Sequence, residues 1–98
     1  GAGKTGTMLS PNWALQDAQW TQARMWVHHS AGTVTATLNG QTMQGVTAAY
    51  TASVRGEMCY EQEFVWNGTG SLSAQIGLTL STGTNDSMRV YDFYIAFL

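Results

Sequence analysis

Glu61 and Glu63 are the two residues of this chain best spaced for acid-base chemistry, carboxylates two positions apart in the stretch Met58 to Trp66. On a strand they would share one face, roughly 6.6 Å apart along the backbone, a separation at which an inverting glycosidase can flank a water. Nothing nearby in the sequence suggests the apolar cleft that would raise one of their pKa values. The pair therefore reads as solvated or subunit-facing carboxylates, and the chain as no enzyme. His28-His29 suggests metal, but adjacent strand residues point to opposite faces and cannot share one ion, so no metal site is expected. Cys59 is the single cysteine, cannot form an intrachain disulfide, and has no third residue to orient a cysteine-histidine pair. Gly1-Ala2-Gly3-Lys4-Thr5 ends like a phosphate loop, yet the earlier glycine of that motif is missing and no helix follows. No nucleotide or other cofactor is expected.

A different constellation comes from parity. In Trp20 to His29, Ala23, Met25 and Val27 fall on one side of a strand, while Trp20, Gln22, Arg24, Trp26 and His28 fall on the other. Giving the more apolar series of each strand to the core leaves Trp20, Arg24, Trp26 and His28 outside on one strand, Glu61 and Glu63 on a second, and Asp92 and Tyr94 on the last. Flat rings suit the C–H face of a sugar, while arginine, histidine and carboxylates suit its hydroxyls. Together the eight residues form a candidate glycan site if their strands are neighbours. The two tryptophans Trp20 and Trp26 would serve equally under loops or across a subunit contact. Trp13, beside Asn12, is a separate stacking candidate.

The elements that must position these residues are strands. Ser71 to Leu80 sets Leu72, Ala74, Ile76, Leu78 and Leu80 against Ser71, Ser73, Gln75, Gly77 and Thr79, the alternation of a half-buried strand. Asn39-Gly40 between Thr33 to Leu38 and Gln41 to Val46 predicts a tight hairpin, since both turn positions must tolerate positive φ. Arg55-Gly56-Glu57 predicts a second turn, between Thr47 to Val54 and Met58 to Trp66. Asn67-Gly68 and Ser81 to Ser87 read as further turns, including the two glycosylation-like triplets at Asn67 and Asn85. A first strand is expected around Thr7 to Ser10 after a flexible segment 1–6, and a last one over Met88 to Leu98. These patterns predict one all-β domain over 1–98, an antiparallel β-sandwich of jelly-roll type with seven or eight short strands.

Charge is scarce: only 10% of the residues are charged, and the net charge is -2. Four Lys and Arg in all give no basic stripe for phosphates, so nucleic acid is not an expected partner. No apolar run reaches the ~20 residues that a membrane-spanning helix needs, and no membrane insertion is expected. Gly1 in place of an initiator Met is the expectation for an excised domain or processed product. The closing strand places Tyr91, Phe93, Ile95 and Phe97 on one side and Met88, Val90, Tyr94, Ala96 and Leu98 on the other. A strand apolar on both sides needs cover on both, which predicts a homo-oligomer, most simply a homotrimer.

Over Trp20 to Leu98 the chain resembles the later strands of carbohydrate-binding-module jelly rolls and of phage tail-fibre receptor-binding domains. The matching pieces are Trp20 to Val27 (WTQARMWV), Gly32 to Gly40 (GTVTATLNG), Ser71 to Leu80 and Val90-Tyr91-Asp92-Phe93-Tyr94-Ile95. The resemblance implies a non-catalytic sandwich that binds surface glycans through aromatic faces and planar polar groups, with a structural calcium in some members. Its phage variant implies a trimeric tip on a virion or extracellular appendage. A structural virion assembly domain without ligand, or a carbohydrate-binding module appended to a glycoside hydrolase, are the alternatives. The chain is shorter than most such modules, and Phe93 follows Asp92 where a polar residue is usual.

Overall fold

The computed structural model describes residues 3–83 and 87–98; Gly1, Ala2 and the Asn85-Asp86 part of the expected last turn lie outside them. Every regular element among the described residues is a strand. In chain order they are β1 (Lys4–Leu9), β2 (Trp13–Ala14), β3 (Gln22–His29), β4 (Thr33–Leu38), β5 (Gln41–Thr42), β6 (Gln44–Ala52), β7 (Met58–Asn67), β8 (Ser73–Ala74), β9 (Ile76–Thr82) and β10 (Val90–Phe97). Two four-stranded sheets, ordered β1-β9-β4-β5 and β10-β3-β7-β6, form the sandwich, and β2 with β8 makes a small ribbon. All pairings are antiparallel. The chain passes between the large sheets from β3 to β4, from β5 to β6 and from β9 to β10, as in a jelly roll. No helix of the described residues is long and apolar enough to cross a membrane.

The core follows the expected parity. Ala23, Met25 and Val27 of β3, Val34, Ala36 and Leu38 of β4, and Ile76 and Leu78 of β9 are all buried, joined by Phe64 of β7 and by Ala74 and Met43. The Asn39-Gly40 turn has φ of 51° and 78°, the double positive pair that a two-residue hairpin requires. Ten strands arise in place of seven or eight because Trp13–Ala14 forms a short strand of its own and Ser71 to Leu80 is broken into two, while Gln41 to Val46 is also broken but its second part runs on through Thr47 to Ala52 as β6. Gln41 to Val46 is interrupted at Met43, whose buried side chain marks the corner where the chain leaves one sheet for the other; its N–H donates to the Ala36 carbonyl at 2.9 Å. Ser71 to Leu80 is interrupted at Gln75, where the Gln75 N–H donates to Asn39 Oδ1 and the Ile76 N–H to Ser10 Oγ, each at 2.8 Å.

Two further expectations are corrected. The segment expected to be flexible begins its strand at Lys4, and Lys4, Thr5 and Gly6 pair with Thr82, Ser81 and Leu80. Met88 and Val90, expected outside, pack against the core, because the bulge between Val90 and Asp92 reverses the parity of the strand there. Beyond it Phe93, Ile95 and Phe97 face the core as expected. Tyr94 and Leu98 are exposed as expected, and a further group of exposed apolar side chains, Val46, Tyr50, Val54, Met58 and Tyr60, lies on the β6–β7 hairpin.

Met25 is fully buried at the centre of this core, whereas Val54 is 78% exposed. Met25→Ala is expected to destabilise the domain by about 2–5 kcal/mol, and Val54→Ala to stay within about 0.5 kcal/mol of the parent. Urea unfolding followed by tryptophan fluorescence measures both.

Candidate functional site

β3 lies between β7 and β10, so the side of β3 turned away from the core is flanked on both edges. The registers set His28 opposite Glu61 on one neighbour and Asp92 on the other, and set Trp26 opposite Glu63 and Tyr94. Directly opposed residues share a face. Seven of the nine sequence candidates, Arg24, Trp26, His28, Glu61, Glu63, Asp92 and Tyr94, therefore form one contiguous patch. Cys59 shares the parity of Glu61 and Glu63, which is the signal that would have placed it on the same face; it is buried and free.

His28 is the hub. Its side chain is only 4% exposed, with Nε2 at 2.7 Å from Glu61 Oε2 and Nδ1 bonded to Asp92 Oδ1. An ionised carboxylate can only accept, so both imidazole nitrogens must donate and the ring is an imidazolium in this arrangement. Burial alone would lower the His28 pKa, but the hydrogen bonds and charges of Glu61 and Asp92 outweigh it, and the pKa is raised. The second oxygen of Asp92 accepts the Val54 N–H at 3.2 Å, which ties the β6–β7 turn to β10. No pattern in the sequence marks that backbone contact. Because the two carboxylates grip opposite edges of one ring, they do not converge on a cation. Among the described residues no group of three or more His, Cys, Asp or Glu is arranged to hold a metal ion.

A third ion pair joins Arg24 Nη2 to Glu63 Oε2 at 2.5 Å. The guanidinium carbon also sits 5.7 Å from the centroid of the Trp26 ring, within cation–π range. Trp26 in turn stacks on Tyr94, with centroids 5.0 Å apart and planes at 20°. Tyr94 remains 46% exposed and meets His28 edge-on at 5.9 Å. Partial burial, and then the charges of Glu61, Asp92 and Glu63, push its phenol pKa up, so the hydroxyl stays protonated and can donate. Burial, followed by the charges of Asp92, Glu61 and Glu57, likewise raises the Cys59 pKa and favours its protonated thiol.

Two candidates lie elsewhere. Trp20 precedes β3 and is not on its outer face: it is 6% exposed, belongs to the core, and donates from Nε1 to the Ser71 carbonyl at 3.0 Å. Its ring packs against Trp66 and Phe97 at 5.5 Å and 4.9 Å. Parity failed there because β3 begins only at Gln22. Trp13 is half-buried in β2 and packs near Phe93, with centroids 6.4 Å apart. No protein-family model, curated protein or solved structure matches the chain.

His29 faces the other side of the sheet, and burial lowers its pKa against the raising effect of a hydrogen bond to the Ala31 carbonyl, with the His28 charge lowering it further. The two histidines thus give opposite pH slopes. His28 binds its proton more tightly folded than unfolded, so its stabilisation is complete below about pH 6.5 and is lost as pH rises through the raised value. His29 binds its proton less tightly folded, so its contribution is complete above about pH 6.5 and is lost on acidification. His28→Gln is expected to flatten the alkaline side of a plot of urea midpoint against pH, and His29→Gln the acidic side near pH 6. The same change of slope in both variants would contradict the assignment.

Proposed function

We propose that this chain is a non-catalytic domain that binds neutral surface carbohydrate through the outer face of β10, β3 and β7, as at the tip of a phage tail fibre or similar extracellular appendage. The observation that carries the reading is the convergence of Arg24, Trp26, His28, Glu61, Glu63, Asp92 and Tyr94 on one patch whose charges are already paired with one another. A ligand approaching it meets polarised donors and acceptors, with three carboxylates against two cations leaving one excess negative charge, which suits hydroxyl groups better than an anionic substrate. Tyr94 offers the exposed ring and a hydroxyl donor. Trp26 lies between Arg24 and Tyr94 and acts by holding both in place. Glu61 and Glu63 are each engaged by a cation, which favours a binding role over acid-base catalysis.

Tyr94→Ala and Trp26→Ala are each expected to weaken glycan binding by at least ~1 kcal/mol, with the melting temperature of Tyr94→Ala preserved. Isothermal titration against glycans selected on an array measures the first and calorimetry the second. Unchanged affinity in both variants would remove this face from the function. No glycosidase turnover is expected from the parent chain or from Glu61→Gln.

A second reading, assembly into a homotrimer, is favoured by β6. That strand is an edge of its sheet, and it has neither charge nor proline to discourage pairing. Tyr50 on it is 64% exposed. Light scattering after size-exclusion chromatography should give a trimer mass that Val46→Lys reduces to a monomer. A monomeric parent chain at every concentration would exclude assembly through β6.

A further inference from the structure

On the core side of the sheet, β6 and β7 run past the part covered by the opposite sheet and leave a cleft of about 440 Å³ against the turn between β3 and β4. Its volume lies within the range of small-molecule sites. His29, Gly32, Thr33, Ala48, Tyr60 and Gln62 line most of it, and among the described residues no Asp, Glu, Lys or Arg does. It is separate from the outer patch, since Tyr60 and Gln62 have the opposite parity to Glu61 and Glu63 on β7.

His29 gives this cleft a specific chemistry. The residue is 4% exposed, and its Nδ1 lies 3.1 Å from the Ala31 carbonyl oxygen. A carbonyl only accepts, so Nδ1 carries the proton, and in the neutral ring Nε2 is a bare acceptor. Among the described residues none bonds to Nε2, and the atom is not shut off from solvent, so the ring presents an open acceptor at the wall of the cleft. Gln62 spends its amide nitrogen on the Thr47 and Glu63 carbonyls, at 3.1 Å and 3.0 Å, which leaves its oxygen as a second acceptor. The Tyr60 ring stands beside His29 with centroids 5.8 Å apart and is steadied from its other neighbour by Tyr50 at 5.3 Å. Ala31, Gly32 and Ala48 bring no bulky side chain to the lining of the cleft. Acceptors, a ring face and no charge together select a neutral ligand that donates hydrogen bonds from an otherwise apolar body.

We propose that this cleft is a second saccharide site, taking a neutral pyranose unit whose hydroxyl donates to His29 Nε2 while its C–H face lies on the Tyr60 ring. The proposal rests on the reading of the chain as a glycan-binding domain, but it uses none of the same residues. The test is a titration of the histidine- and tryptophan-labelled full chain with maltose, cellobiose, lactose and diacetylchitobiose at millimolar concentration, followed by NMR of the His29 Nε2 and Trp26 indole nitrogens. At least one sugar is expected to move the His29 Nε2 resonance. His29→Phe, which keeps a ring and removes the acceptor, should weaken that binding about tenfold. Should His29→Phe fail to fold, Ala48→Leu, a change on the exposed edge strand that fills the cleft, should abolish the His29 response and leave the Trp26 response intact. A response at His29 with none at Trp26 supports the cleft while removing the outer face. A response at Trp26 alone, or at neither nitrogen, overturns the cleft.

Discussion

The period-two alternation of β3, held between β7 and β10, is the constraint on which the rest of the structure depends. Its odd positions, Ala23, Met25 and Val27, are fully buried and form the middle of the core. Its even positions, Arg24, Trp26 and His28, then have no choice but to emerge between two neighbours, and the registers decide which side chains they meet. A slip of one residue against either neighbour would leave an imidazolium without a carboxylate and turn a carboxylate toward apolar side chains. Desolvating an unpaired charge costs far more than a pair contributes in place. The ion pairs at His28 therefore act chiefly on register, while apolar burial supplies the stability.

The core and most of the patch were legible from alternation because both follow from side-chain direction alone. The errors of parity came from places where the strand did not run on. Parity extended from Gln22 back to Trp20 crossed the start of β3 and put a core tryptophan outside. Parity carried from Phe93 back to Val90 and Met88 crossed a bulge and put two core-packed residues outside. The breaks at Met43 and Gln75 depend on partners distant in sequence, Ala36 for one and Ser10 and Asn39 for the other. No local pattern encodes those contacts. The bond from the Val54 N–H to Asp92 is of the same kind.

The scarcity of charge takes on a physical meaning once the pairs are placed. Arg24, His28, Glu61, Glu63 and Asp92 occupy one patch and largely neutralise one another there. What β4, β5 and β6 expose is chiefly Thr, Gln, Ala and Gly, with Val46 and Tyr50 of β6, uncharged side chains that carry no long-range field. Such a surface attracts partners through short-range contact and not through electrostatic steering, so its associations should depend little on ionic strength. That behaviour suits a neutral ligand or a second copy of the same chain.

The β6–β7 hairpin is where the sandwich is least self-sufficient. It is anchored at one end through Phe64 in the core and at the other through the turn contact with Asp92, whereas β6 itself buries almost nothing on either face. A strand in that state is stabilised mainly by its ladder with β7, and adding a partner strand or a ligand would gain area without displacing existing packing. The inner cleft and the free edge therefore draw on the same unpaid surface. A subunit seated on β6 would wall the cleft beside Ala48 and deepen it, so assembly and ligand binding at this end of the molecule would reinforce each other and not compete.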